Sequence, residues 1–357
     1  MNTGNFLEID GSFGEGGGSI LRLAAGFSHL FNIPIKIKNI RANRAKPGLR
    51  TQHLMGLKTI SDLTKSTLSD CKVGTKEITF TPNSNREINS YIHMDINTAA
   101  SLGLLLQPIQ IASFGFKKTE KTEISLSGGG TFGKWAPSLN YLQEVTYKIF
   151  NRVGSKIDIE ILKHGFYPKG GARVICTIFP SKAPLIPLNL TELGNVNLIQ
   201  GEIIITNQLQ RSRENIGKRI RKSIQQQIGK KLKFETDIKI HWVESTSPGV
   251  GLSLWSCSDT GAIVSTGTVL GERNIRSEVL GKIAVDEIIK YIENDVPVDN
   301  YLSDQLIPLM AYTNESSRIK VLQITNHTKT NLELVKLFTP KDYRVIKENN
   351  HFIIEIF

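Results

Sequence analysis

Phe6-Leu-Glu-Ile-Asp10 alternates apolar with polar residues, and Gly11-Ser-Phe-Gly-Glu-Gly-Gly-Gly-Ser19 follows as a loop of small residues. Ile20-Leu-Arg-Leu-Ala-Ala-Gly-Phe-Ser-His-Leu-Phe31 then carries helical spacing, and Ile33-Pro-Ile-Lys-Ile-Lys-Asn-Ile40 alternates again. Period-two alternation marks strands and the 3.6-residue period a helix, so residues 6–40 read as strand, loop, helix, strand. Two later stretches repeat this grammar. Thr122 to Leu126 leads through Gly128-Gly-Gly130 to a helix opening at Pro137, whose missing N–H is not needed in a first turn, and Lys156 to Ile161 closes the unit. Val321 to Thr325 leads through Asn326-His327-Thr328-Lys329 to a helix from about Asn331 to Phe338, with a last strand at His351 to Phe357. Thr330 and Glu333 read there as a capping box, which places His327 in the loop before the helix. The class expected is α/β (α+β), with the loops of packed repeats gathered at one edge where helix N-termini attract phosphate.

Between the second and third units the character changes. Pro180, Pro184 and Pro187 suit a linker, Gly201 to Thr206 reads as a strand, and Ile216, Ile220, Ile224, Ile228 and Leu232 recur every fourth residue as one face of a helix. Its outer face carries Lys218, Arg219, Arg221 and Lys222, followed by Lys230, Lys231 and Lys233, which fits either an RNA backbone or a solvated helix face. This inserted unit is expected to end near Glu278, before a long helix from Val279 to Ile292.

With 357 residues, 39% of them hydrophobic and 22% charged, the chain has the composition of an ordinary globular protein of two domains or one domain with an insertion. Its most apolar stretch, Ala99 to Ala112, is broken by Ser101, Gly103, Gln107, Pro108 and Gln110 and falls short of the roughly 20 apolar residues of a bilayer span. The first residues carry neither a charged n-region nor an apolar h-region, so a cytoplasmic protein beginning near residue 1 is expected. Cys71, Cys176 and Cys257 are odd in number, far apart and outside any CxxC pair, which disfavours a disulfide framework or a cysteine zinc site. Lys plus Arg outnumber Asp plus Glu by 44 to 33, a net charge of +11 that favours polyanionic partners.

The nucleotide-binding pattern G-x-x-x-x-G-K-[ST] is absent, as is HExxH. Four other places can carry chemistry. Glu15, flanked by glycines that allow close approach of the backbone, fits either a turn with an exposed carboxylate or a contact to a hard cation. Arg41, Arg44, Lys46 and Arg50 crowd ten residues between a strand and a helix, where guanidinium groups can take phosphate oxygens two at a time. His164-Gly-Phe-Tyr-Pro-Lys-Gly-Gly171 sets aromatic faces beside Lys169, for base stacking or for closing the core below. His327, beside a helix N-terminus, can attack a phosphorus atom held at that positive end, although a lone histidine also serves structural roles.

Six segments, in order, resemble the RNA 3'-terminal phosphate cyclase family: Glu-Gly-Gly-Gly-Ser-Ile-Leu-Arg at 15 to 22, Ile-Arg-Ala-Asn-Arg-Ala-Lys-Pro-Gly-Leu at 40 to 49, Gly-Gly-Gly-Thr at 128 to 131 with Trp-Ala-Pro at 135 to 137, the 164 to 171 loop, Tyr-Leu-Ser-Asp-Gln at 301 to 305, and the segment around His327. The resemblance spans essentially the whole chain. It implies a large domain of three βαβαββ-like repeats over residues 1–182 and 279–357, with a smaller α/β domain inserted at 183–278. The reaction it implies uses ATP to turn the 3'-terminal phosphate of an RNA into a 2',3'-cyclic phosphate through a histidine–AMP intermediate and an RNA-adenylate, releasing pyrophosphate and AMP.

By the same resemblance His327 is the nucleophile, and Glu15 is the contact to Mg²⁺ or Mn²⁺. Gln107, Pro137, Tyr301, Leu302, Ser303, Asp304 and Gln305 bind ATP, and Arg22, Arg41, Arg44, Lys46, Arg50 and Gln52 take phosphates or RNA. Ser19 and Ser138 depart from the family pattern, where Gln and a second proline are frequent, without removing a charge or the nucleophile. Two other functions compete: an RNA-binding relative in ribosome assembly, which would lack the nucleophilic histidine, and an enolpyruvyl transferase, which would have no use for a histidine–AMP adduct.

Overall fold

A computed structural model of the chain describes residues 6–14, 16–116, 120–181, 184–210 and 215–357. The first repeat is β1 (Leu7–Asp10), α1 (Ser19–Phe31), β2 (Ile35–Lys38), α2 (Thr51–Thr64), β3 (Thr67–Leu68) and β4 (Ile78–Thr81). In the second, β5 (Tyr91–Ser101), α3 (Leu102–Ser113) and β6 (Thr122–Gly130) precede α4 (Leu139–Tyr141), a π-helical turn (Leu142–Thr146) and α5 (Tyr147–Arg152), then β7 (Ile157–Lys163) and β8 (Arg173–Ile178).

The third repeat opens with β9 (Asn189–Leu190) and is interrupted at once. The insertion comprises β10 (Leu198–Thr206), α6 (Ile216–Lys231), β11 (Glu235–Val243), β12 (Val250–Cys257), β13 (Ile263–Ser265), β14 (Val269–Leu270) and α7 (Ser277–Glu293). The repeat then resumes with α8 (Asn300–Tyr312), β15 (Ser317–Val321), α9 (Asn326–Phe338), β16 (Tyr343–Glu348) and β17 (His351–Ile356).

Three four-stranded sheets share one topology, β1-β2-β4-β3, β5-β6-β8-β7 and β9-β15-β17-β16. In each the first two strands are parallel across a crossover helix and the rest antiparallel, so the βαβαββ unit occurs three times. The unit visible in residues 6–40 is the first half of a repeat, whereas those at 122–161 and 321–357 fall in second halves. The missing partner of β15 is β9, two residues long and too short to show alternation.

The insertion has its own sheet, β11-β10-β12-β13 with β14 beside β12, covered by α6 and α7 packed together. Arg219 clasps Glu278 at 2.7 and 2.8 Å and Lys231 meets Asp286 at 2.8 Å, which occupies part of the basic face of α6 with α7. The expected outer limits of the insert fall differently from these contacts. Residue 183 lies outside the described residues, β9 belongs to the third-repeat sheet, and the helix begun at Ser277 packs on the inserted sheet.

One apolar core runs through the repeats and the insertion alike, and each large side chain fully buried in it contributes roughly 1.5–3 kcal/mol. Helix α1 lies at its centre: every residue from Ile20 to Leu30 is buried, Arg22 and His29 included. The Gly128-Gly-Gly130 run forms the end of β6 rather than a loop. Gly128 has φ +93°, and a Cβ there would lie 1.9 Å from the Ile96 carbonyl oxygen, where β5 bulges. Gly128→Ala is therefore expected to destabilise by roughly 2–4 kcal/mol. Gly229→Ala, on the open face of α6, should stabilise by about 0.5–1 kcal/mol, and urea denaturation midpoints of the two variants against the parent check both signs.

Candidate active site

Helix α1 starts from Gly18, whose lack of a side chain lets His53 and Arg22 close on the helix end: a Cβ there would lie 2.0 Å from His53 Nε2 and 2.9 Å from Arg22 Nη1. Arg22 Nε donates to Gln107 Oε1 at 2.8 Å. Burial, with help from Arg41, lowers the Arg22 guanidinium to about 10, so it keeps its charge at neutral pH. Arg41 sits in the left-handed region at φ 54° with its buried Nε unpartnered, and burial, Arg44 and Arg50 lower its pKa. Among the described residues no carboxylate pairs with Arg22 or Arg41. A helix N-terminus and uncompensated guanidinium groups together make an anion site.

His53 belongs to the same cluster. Its Nδ1 accepts the Arg50 backbone N–H at 3.2 Å, capping α2, and its Nε2 faces the start of α1, 3.4 Å from Gln52 Nε2. Burial first, then Arg22, Arg41 and Arg50, depresses its pKa to about 3.

On the opposite wall, α9 begins earlier than its sequence suggests. Thr325 is the N-cap, its Oγ1 accepting from Thr328 N at 2.9 Å, while Thr328 Oγ1 donates to Asp304 Oδ1 at 2.9 Å and Asn331 Nδ2 to the Asp304 carbonyl at 2.8 Å. The proposed capping box does not form. Thr330 Oγ1 bonds back to the Asn326 carbonyl and Glu333 accepts from Tyr343 OH, because the threonine pair fastened to Asp304 takes the cap. His327 is consequently the second residue of α9, half-buried at its N-terminal end, and not a residue of the preceding loop. In the second repeat the helix opens at Leu139 rather than at Pro137, behind the N-cap Ser138, whose Oγ accepts from Tyr141 N at 3.1 Å.

A cleft of ≈ 280 Å³ joins the two walls and is lined by Ser19, Arg22, Gln107, Pro137, Tyr301, Asp304, Gln305 and His327, with Leu104, Trp135 and Ala136 between them. All three repeats contribute. Gln305 Oε1 accepts from Gln110 Nε2, whose own Oε1 accepts from Tyr147 OH, so the amide facing the cleft is fixed from behind. Asp299 caps α8 through the N–H groups of Tyr301 and Leu302, each at 2.9 Å, and takes the Tyr141 hydroxyl at 3.0 Å; burial raises its carboxyl to about 7.

The structure separates the expected site residues into groups. Arg22, Gln107, Pro137, Tyr301, Asp304, Gln305 and His327 share the cleft. Leu302 and Ser303 are buried below it, Ser303 Oγ donating to the Asn300 carbonyl. Arg44 and Lys46 are exposed on the arginine loop, and Gln52 lines a wider neighbouring cleft. Glu15 lies outside the described residues, among which no three His, Cys, Asp or Glu side chains gather as a metal site. Sequence reasoning quoted Trp135 in a motif but gave it no role; it is 89% exposed and borders both clefts. Its place between Gly133-Lys134 and Ala136-Pro137, on a connection between strand and helix, was the available signal.

A sequence profile described as RNA 3'-terminal phosphate cyclase matches residues 13–345. The chain is 33% identical over 351 residues to the RNA 3'-terminal phosphate cyclase of Pyrobaculum aerophilum, covering 98% of this chain and 97% of that one. For the protein of the same name from Thermococcus gammatolerans the figures are 34% over 343 residues, with 95% and 94% covered. For that of Methanopyrus kandleri they are 31% over 358 residues, with 99% of each chain covered.

His53 also sets a pH dependence. Its folded pKa, about 3, lies below the unfolded value near 6.5, so the unfolded chain binds the extra proton between them and stability falls as pH drops through that window. His29 and His164, each lowered to about 4 chiefly by burial, act in the same direction, and Asp299, raised to about 7, acts in the opposite one. Urea denaturation from pH 7.5 to 4.5 should show His53→Gln losing less stability than the parent, by up to roughly 1.4 kcal/mol per pH unit near pH 5.

Proposed function

Because the chain belongs to the RNA 3'-terminal phosphate cyclase family and is a cyclase of the ligase class, we propose that it activates RNA 3'-phosphates with ATP through an adenylylated His327. The observation that carries this reading is the meeting of His327 with Arg22, Gln107, Pro137, Tyr301, Asp304 and Gln305 in one cleft. The imidazole at the N-terminal end of α9 attacks the α-phosphorus of ATP, and pyrophosphate leaves. Arg22 and Arg41, at the N-terminus of α1, offset the charge on the departing phosphates, with Arg44 and Arg50 on the same loop. The ring of Tyr301, beside Pro137, flanks the adenine, while Gln107 and Gln305 offer amides to the nucleotide. Leu302 and Ser303 act from beneath, by fixing the start of α8.

The AMP then passes to the terminal phosphate of the RNA. A phosphoramidate protonated on its ring nitrogen is a good leaving group, so His327 is released as neutral imidazole once the proton is shed. The neighbouring 2'-hydroxyl attacks the activated phosphorus, a P–O bond closes the 2',3'-cyclic phosphate, and AMP departs with the electron pair of the broken P–O bond. Because that hydroxyl is already tethered to the same ribose, the step is intramolecular, and a deoxyribose end has no group to perform it.

Hard divalent cations bind oxygen and commonly rest on substrate phosphates with one or two carboxylates. Mg²⁺ or Mn²⁺ brought with ATP is part of the proposal, with Glu15 as its carboxylate contact. Such an ion supplies charge neutralisation on the phosphates. Lys46 and Gln52 belong to the proposed RNA contacts. The division into a three-repeat body and an inserted domain is part of the proposal, with the insert taken as the β10–α7 unit. So is a cytoplasmic setting; no helix among the described residues is long and apolar enough to cross a membrane.

With ATP labelled on its α-phosphate, the protein should acquire a label that is stable to alkali and labile to acid, and His327→Asn should reduce it to background. A label persisting in that variant overturns the nucleophile. RNA ending in 3'-phosphate should become resistant to phosphatase under the same conditions. Unchanged ends beside a labelled protein would instead favour another acceptor of AMP.

A further inference from the structure

A second cleft, ≈ 680 Å³, opens beside the His327 cleft and shares Leu104, Trp135 and Ala136 with it. Its floor is the ring pair Phe132 and Phe166, stacked with centroids 5.2 Å apart and planes within 6°. One bank is the second repeat, which raises Trp135 and Tyr167; the other is the inserted sheet, through Pro248–Val250 and Leu270–Glu272. Trp135 is 89% and Tyr167 81% exposed, so two large flat rings stand in water along one groove. Neither ring is needed to close the core, since Phe132 and Phe166 are buried beneath them.

We propose that this groove holds the single-stranded RNA just 5' of the reacting end, with a base of that segment stacked on Tyr167 and the strand passing Trp135 into the His327 cleft. The inference rests on the function proposed above. Three observations select this occupant. The groove is continuous with the cleft that handles the terminal phosphate. Exposed aromatic faces are the platforms on which unpaired bases stack without regard to sequence. Gln52 adjoins His53 and the arginine cluster, which brings positive charge to the groove, and Lys134, 5.1 Å over the Trp135 ring, is paired with Glu272 of the other bank at 2.9 Å. A double helix is excluded from such a path, because its bases already stack on one another.

The test compares the unaltered chain with Tyr167→Ala and Tyr167→Phe in cyclisation of two short 3'-phosphorylated RNAs, one intact and one abasic at the two nucleotides before its end. Tyr167→Ala should raise KM for the intact RNA about tenfold with kcat little changed, and Tyr167→Phe should restore it. For the abasic RNA the KM of the unaltered chain should already be high, with Tyr167→Ala adding nothing. An unchanged KM for the intact RNA in Tyr167→Ala, or an equal rise for both RNAs, overturns the groove assignment while leaving the function intact. If the unaltered chain cyclises neither RNA, the proposed function falls and the groove assignment with it.

Discussion

The guanidinium of Arg22 is buried at the heart of the fold, and its hydrogen-bond partner there is the neutral amide of Gln107. Burying an ion without a counter-ion costs several kcal/mol even after relaxation, and Arg41 adds repulsion. A carboxylate in place of Gln107 would remove that cost and also neutralise the site. The amide orients the guanidinium without discharging it, so the fold carries a positive potential that an anion can relieve. Neutral His53 limits the strain, because a third buried cation beside Arg22 and Arg41 is avoided by leaving the imidazole unprotonated.

That potential is placed by repetition. The crossover helices of the three repeats, α1, α3 and α8, supply Arg22, Gln107 and Gln305, so each unit turns its crossover helix toward a common cleft. The second helices follow the same rule. The second residue of α2 is Gln52, of α4 Asn140 and of α9 His327, three chemistries on one template. Gln52 lines the aromatic groove, Asn140 donates to Glu202 of the insertion at 2.7 Å, and His327 enters the cleft. Helix N-termini repeated around a core thus end in a groove, in the insert and in the His327 cleft.

Much of this was legible from local patterns. The periodicity of residues 6–40 gave β1, α1 and β2, the every-fourth isoleucines gave α6, and the family motifs named most of the cleft. What local patterns missed was decided by distant residues. The cap of α9 was misplaced because Thr330 and Glu333 satisfy a local rule, while the true cap depends on Asp304, some twenty residues upstream. The start of the third repeat was invisible because β9 is two residues long and meets β15 only across the whole insertion. Leu302 and Ser303 shared a motif with Tyr301 and Asp304, yet a helix presents neighbouring residues to different sides, and these two face the interior.

The site of the insertion follows from the same geometry. The insertion falls between β9 and α8, within the crossover of the third repeat, and α8 then carries Tyr301, Asp304 and Gln305 into the cleft, so the added chain returns to that edge. It is docked there rather than tethered. A Cβ on Gly251 of β12 would lie 2.3 Å from the ring of Phe132, so the inserted sheet meets the aromatic floor of the second repeat at contact distance. Arg152 of α5 reaches the carbonyls of Thr260 and Gly261, and Thr268 Oγ1 accepts the Ser138 backbone N–H at 2.8 Å. The element inserted in the third repeat is therefore fastened to the second, and the groove between them takes one bank from each.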